Sequence, residues 1–114
     1  MLRFGDVLRE ARKKTGISMH AVARELGLSA PYLCDVELNR RAPLSEERIH
    51  VVAVFLGVDA APLIEASVWT RRQVCLPVAD GSPRDRLALR LSDAWGSLSE
   101  DQIRAIESIV GKAA

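Results

Sequence analysis

The amino-acid sequence predicts an all-α protein, and three observations carry that expectation. Hydrophobic residues make up 48% of the 114 positions but aromatics only 4%, so the core draws on Leu, Val, Ile and Ala. Those are the side chains of helical bundles rather than of sheets rich in aromatic and β-branched residues. Seven stretches repeat their apolar residues at helical spacing. Ser or Asp stands before most of them, and Gly16, Gly27 and Gly57 stand after three, which is the punctuation of helix starts and stops.

The first helix is expected over Arg3–Thr15, with Phe4, Val7, Leu8 and Ala11 on one face and Lys13-Lys14 at the negative end of its dipole. Ser18 caps a short helix over Met19–Leu26. Ser29 caps the next, Ala30–Leu38, where Pro31 is tolerated because the first turn has no use for its missing N–H. Asn39-Arg-Arg-Ala-Pro43 is a loop. Ser45 resembles the start of a capping box and opens a helix over Glu46–Leu56; Asp59 caps another over Ala61–Arg71. Residues 73–83 interrupt the pattern and read as a linker. Two amphipathic helices follow, over Arg84–Trp95 and Glu100–Lys112, the second capped by Ser99.

Charge is unevenly spread. Residues 1–43 carry eight Lys/Arg against five Asp/Glu, a balance of +3, whereas residues 44–114 carry eight against ten, a balance of −2. The basic residues gather at Arg9, Arg12, Lys13 and Lys14 and at Arg40 and Arg41, the clustering that phosphate binding needs. Ordinary solvated helix ends would look much the same. The N-terminal residues carry charges where a secretion signal needs its apolar stretch. The longest apolar runs, such as Val51–Leu56, are too short for a bilayer. Cys34 and Cys75 match neither a metal pattern nor a disulfide framework, so a reducing cytoplasm is the expected compartment. No Ser/His/Asp set, phosphate-cradling glycine loop or His/Cys metal spacing is present, so neither enzyme activity nor a cofactor is expected. The acids Glu46-Glu47 and Glu100-Asp101 are explained by the helix dipole. Trp69 and Trp95 are expected to plug hydrophobic seams.

The most informative stretch is Ser18–Asn39. Two short helices that cross steeply need a small residue at the crossing, a turn residue that accepts positive φ, and aliphatics at the buried positions. Ala23, Gly27, and Val22, Leu26, Leu28, Leu33 and Val36 meet those needs in order. The stretch resembles the lambda-repressor/Cro-like helix-turn-helix family, also called XRE-type regulators, over about residues 4–70. The matching residues are Ala23, Leu26-Gly27-Leu28-Ser29, Tyr32-Leu33, Val36-Glu37 and Arg41-Ala42-Pro43.

The resemblance implies a five-helix DNA-binding domain over residues 1–72, followed by two C-terminal helices within 84–114. It implies a transcriptional repressor that binds a palindromic operator in double-stranded DNA as a homodimer. Ser29, Ala30, Pro31, Tyr32 and Asp35 would be presented to the major groove. Arg9, Arg12, Lys13, Lys14, Asn39, Arg40 and Arg41 would meet phosphates, and Glu37 would be structural. The family's usual Gln at the start of the second helix is Met19 here, leaving Ser18 or His20 to take its phosphate contact; His20 is otherwise a plain surface residue. None of the base-facing positions is Arg, Lys, Asn or Gln, the usual bidentate readers. A protein-interaction adaptor or antitoxin-like partner, using the same face on protein, is the alternative. The stripes Leu87/Leu91/Trp95 and Ile103/Ile106/Val110 either fold back on the domain, pair with a second subunit, or bind another protein; pairing is the favoured expectation. No membrane partner is expected.

Overall fold

The structure, a computed structural model, describes residues 2–113. The element order is α1 (Phe4–Thr15), α2 (Met19–Leu26), α3 (Ala30–Glu37), α4 (Glu46–Leu56), α5 (Ala61–Arg71), α6 (Pro83–Ala94), a 3-10 turn (Trp95–Ser97) and α7 (Glu100–Ala113). The described residues are helical or irregular, with no strand, and the all-α expectation holds. No helix among them is long and apolar enough to cross a membrane.

Local chemistry explains where the helices begin. The Oγ atoms of Ser18, Ser29 and Ser45 accept from the backbone N–H of Ala21, Tyr32 and Arg48 at 3.1, 3.2 and 3.3 Å, each satisfying a first-turn donor that has no partner inside the helix. Asp59 does the same for Ala61 at 3.0 Å. Ser99 and Gln102 form a reciprocal capping box.

Several boundaries differ from expectation by one residue: α1 begins at Phe4 rather than Arg3, α6 begins at Pro83 rather than Arg84, and α7 ends at Ala113 rather than Lys112. α3 ends at Glu37 rather than Leu38, because Asn39 turns left-handed at φ 60° and the Arg40 N–H donates back to the Asp35 carbonyl at 2.8 Å. α6 ends at Ala94, and the chain tightens into the 3-10 turn, where Ser97 Oγ donates to the Ala94 carbonyl at 3.0 Å.

The chain divides into two compact units, Met1–Val74 and Cys75–Ala114. In the first, α1 packs on α5, α3 and α4, and α2 packs on α3 and α4. Phe4, Leu8, Val22, Leu33, Val36, Ile49, Val52 and Leu63 are essentially sealed from solvent. Burying each such side chain contributes about 1.5–3 kcal/mol before chain entropy is set against it. Arg71 donates to the carbonyls of Pro43 and Leu44 at 2.6 and 2.8 Å, and Thr70 Oγ1 accepts from the Phe4 N–H at 2.9 Å. These bonds tie α5 to the α3–α4 loop and to the start of α1.

In the second unit, the segment before α6 is drawn onto that helix by Asp85. Its Oδ2 accepts from the N–H groups of Ala79, Asp80 and Gly81, each at 2.9 Å. The bonds from Ala79 and Asp80, reinforced by Gly81, push its pKa below the usual carboxylate value against the opposing effect of burial. Trp69 and Trp95 correct an expectation: they are 50% and 71% exposed and plug no seam. The indole N–H of Trp69 instead donates to Glu65 at 3.4 Å.

Candidate nucleic-acid interface

α2 and α3 form the helix-turn-helix. Gly27 takes the left-handed conformation (φ 68°, ψ 28°) that ends α2, a conformation that is costly for a residue with a Cβ. The Leu28 N–H then closes onto the Ala23 carbonyl at 2.9 Å, and Ala23 lies buried in the core with Val22 and Leu26. Ala23 is small enough to let α3 pack close, and Leu33 and Val36 fill the inner side of α3.

The far end of α3 is fastened to α1 by polar bonds as well as apolar contact. The Arg12 guanidinium donates twice to Glu37, from Nε at 2.7 Å and Nη2 at 2.9 Å, and once to the Ile17 carbonyl at 3.3 Å. The Glu37 side chain is 2% exposed and that of Arg12 13%, so this is a nearly dry bidentate pair. Hydrogen bonding to Glu37 holds the Arg12 pKa above its ordinary value, against the opposing effect of burial. Beside it Asn39 Oδ1 accepts from the Gly5 N–H at 2.9 Å, and its Nδ2 donates to Asp6 at 3.1 Å. Gly5 must lack a side chain here: a Cβ would press on the Val36 and Glu37 carbonyls and on Asn39 Oδ1.

Arg12 and Asn39 are therefore engaged within the domain, which sets them apart from the other residues expected to meet phosphates. Arg12 is committed to Glu37, and both ends of the Asn39 amide are committed to α1. Sequence reasoning anticipated a structural Glu37 and a loop at Asn39 but missed their partners. The only available signal was that a buried acid demands a cation, and nothing in one dimension singles out Arg12 among its basic neighbours.

The remaining expected residues lie at the surface. Ser29 and Pro31 are exposed, while Ala30, Tyr32, Cys34 and Asp35 are half-buried. Ser18 and His20 are exposed at the start of α2. On α1, Arg9, Lys13 and Lys14 line an open depression together with Asp6 and Glu10, so that patch is less basic than its lysines and arginines suggest. Arg40 and Arg41 emerge from the loop after α3 and reach back over the helix. They pair with Asp35 at 3.8 and 3.9 Å, and the Arg41 guanidinium sits 4.5 Å from the centroid of the Tyr32 ring. The candidate interface thus carries a helix fastened at its C-terminal end, with Ser29 and Pro31 exposed in its first turn, flanked by the two exposed cations. Among the described residues, no group of three or more His, Cys, Asp or Glu is arranged to hold a metal ion.

Comparison with known proteins bears on the same region. No curated protein matches the sequence. A solved chain from a SinR protein/SinI protein complex is 20% identical, covers 96% of this chain and 96% of its own length, and superposes with a TM-score of 0.49. Residues 3–66 match the family described as a helix-turn-helix domain. That match covers more than half of the chain and takes in α2 and α3 whole. With the capped helix pair, its turn glycine and the seated α3, it identifies the chain as a member of the helix-turn-helix domain family.

Proposed function

We propose that this DNA-binding regulator acts as a repressor, holding a palindromic operator as a homodimer through residues 1–72. An α-helix fits the major groove, and the observation that carries the reading is the seating of α3. Its C-terminal end is locked to α1 by Arg12–Glu37 and Asn39, while its N-terminal turn, Ser29–Tyr32, is left outward. Arg9, Lys13, Lys14, Arg40 and Arg41, helped by the donors of Ser18 and His20, supply phosphate contacts that fix register. Occupying an operator blocks access to it, so binding alone suffices for repression.

Direct base reading is thin. A bidentate contact is worth about 1–3 kcal/mol of discrimination, and α3 offers no residue of that kind. Ala30, Pro31 and the Tyr32 ring suit thymine methyls, and Arg41 is placed to sense local groove shape.

The homodimer is supported by the second unit. Leu87, Trp95, Ile103 and Val110 are 58%, 71%, 43% and 61% exposed, and Leu91 and Ile106 are half-buried. A second copy of the same stripes covers them symmetrically and, through the linker 73–83, delivers two α3 helices to two half-sites. Titration with random duplex DNA at about 50 and 200 mM salt tests the DNA contact. Some five phosphate contacts per chain should reduce affinity by on the order of a few hundredfold across that range. No binding at the lower salt contradicts the reading.

A further inference from the structure

The face that α3 turns outward holds one acid and two bases in a loose arrangement. Tyr32 and Asp35 lie three residues apart and so share a side of the helix. The turn at Asn39 sends the chain back, so Arg40 Nη1 lies 3.8 Å from Asp35 Oδ1 and Arg41 Nε lies 3.9 Å from Oδ2. The same Arg41 guanidinium stacks 4.5 Å from the Tyr32 ring centroid. The side chains are 37%, 71% and 53% exposed for Asp35, Arg40 and Arg41. These are long, wet contacts, unlike the 2.7 Å Arg12–Glu37 bond, and pairs of this kind contribute little to stability. They are easily exchanged for other partners.

We propose that Asp35 is a specificity-determining residue that acts by holding Arg40 and Arg41 away from phosphate until a base offers the carboxylate a better partner. On arbitrary duplex the two arginines must leave Asp35, which is then left facing a polyanion without its counter-charges. Phosphate affinity is reduced wherever the groove offers the carboxylate no donor. Where the major groove presents an exocyclic amino group in register, cytosine N4 or adenine N6, the carboxylate accepts from it. The arginines then move to the backbone without stranding a charge. Tyr32 holds Arg41 by its ring in either state, so the exchange is a short swing of the guanidinium rather than an ordering of free chain. Discrimination arises here from suppressing wrong complexes, which compensates for a helix lacking bidentate readers.

This inference rests on the proposed DNA-binding function for its ligand, but the gate itself can be tested on any polyanion. The experiment compares the full-length protein with D35N, with R40A/R41A, and with the triple variant, on heparin and on random duplex. E47Q serves as a control, because it removes one exposed acid on α4. D35N should elute from heparin at higher salt than the parent. It should bind random duplex about threefold to tenfold tighter, the equivalent of releasing two exposed ion pairs. That gain should vanish in the R40A/R41A background, and E47Q should give less of it. A D35N gain that persists without the arginines, or that E47Q reproduces, overturns the gate. Heparin behaviour as described with no duplex binding by any variant instead removes the DNA-binding function and leaves the gate standing.

Discussion

The two units of this chain solve the problem of apolar surface differently. In the first, fourteen hydrophobic residues from α1 to α5 form one buried cluster, and the polar groups that join the helices are bonded in pairs. In the second, Asp85 is the buried residue among those described, and several large apolar side chains of α6, the 3-10 turn and α7 stand more than half exposed: Leu87, Leu89, Trp95, Ile109 and Val110. The first unit can hold a recognition helix still because its own core is complete. The second has helices shaped by local capping, and its apolar stripes gain their hydrophobic stabilisation only when something covers them. On the proposed function the first unit is the reader and the second the element that pairs, and the two solutions suit those tasks.

The contrast can be broken at several points. The largest effect should come from the first core: Leu33→Ala removes a fully buried side chain and should lower stability by about 2–5 kcal/mol in chemical denaturation. Next, Glu37→Ala strands the Arg12 guanidinium with only the Ile17 carbonyl. It should cost about 2–3 kcal/mol, below the range for a fully buried pair because Arg12 keeps some solvent contact. A neutral result would mean that apolar packing alone seats α3. Ile106→Glu should leave the unfolding of the first unit within about 0.5 kcal/mol of the parent. In sedimentation velocity, however, it should move the protein from dimer to monomer. A dimer that survives this change and Leu91→Glu together refutes pairing through α6 and α7.

The smallest effect is electrostatic and confined to the second unit. Because the folded pKa of Asp85 is lowered, its contribution is present above the ordinary aspartate pKa of about 3.9. It is lost as pH falls through the lower folded value. Amide chemical shifts of Ala79, Asp80 and Gly81 should therefore titrate together below about pH 4. In Asp85→Asn that titration should be absent.

Much of the fold was legible in the sequence because its signals are local. Ser18, Ser29 and Ser45 cap their own helices within three residues, and Gly27 and Gly57 stop theirs, so α2, α4 and α5 have the bounds that spacing predicts. The same locality explains the failures. Arg12 looks like any other member of its basic run, since its partner Glu37 is 25 residues away. Asn39 announces a loop but not that its amide bonds to Gly5 and Asp6, more than thirty residues distant. The stacking of Arg41 on Tyr32 likewise depends on how the loop returns. Trp69 and Trp95 were misjudged because an aromatic at helical spacing reads as core whether or not a neighbour arrives to cover it.

The most direct measurement is an amide NMR titration of the full chain with duplex DNA at low salt. If α3 lies in the groove, shifts should concentrate at Ser29–Asp35 and at Arg40 and Arg41, with weaker changes at Ser18 and His20. Shifts confined to residues 84–113, or none at all, would contradict DNA binding by the α3 face.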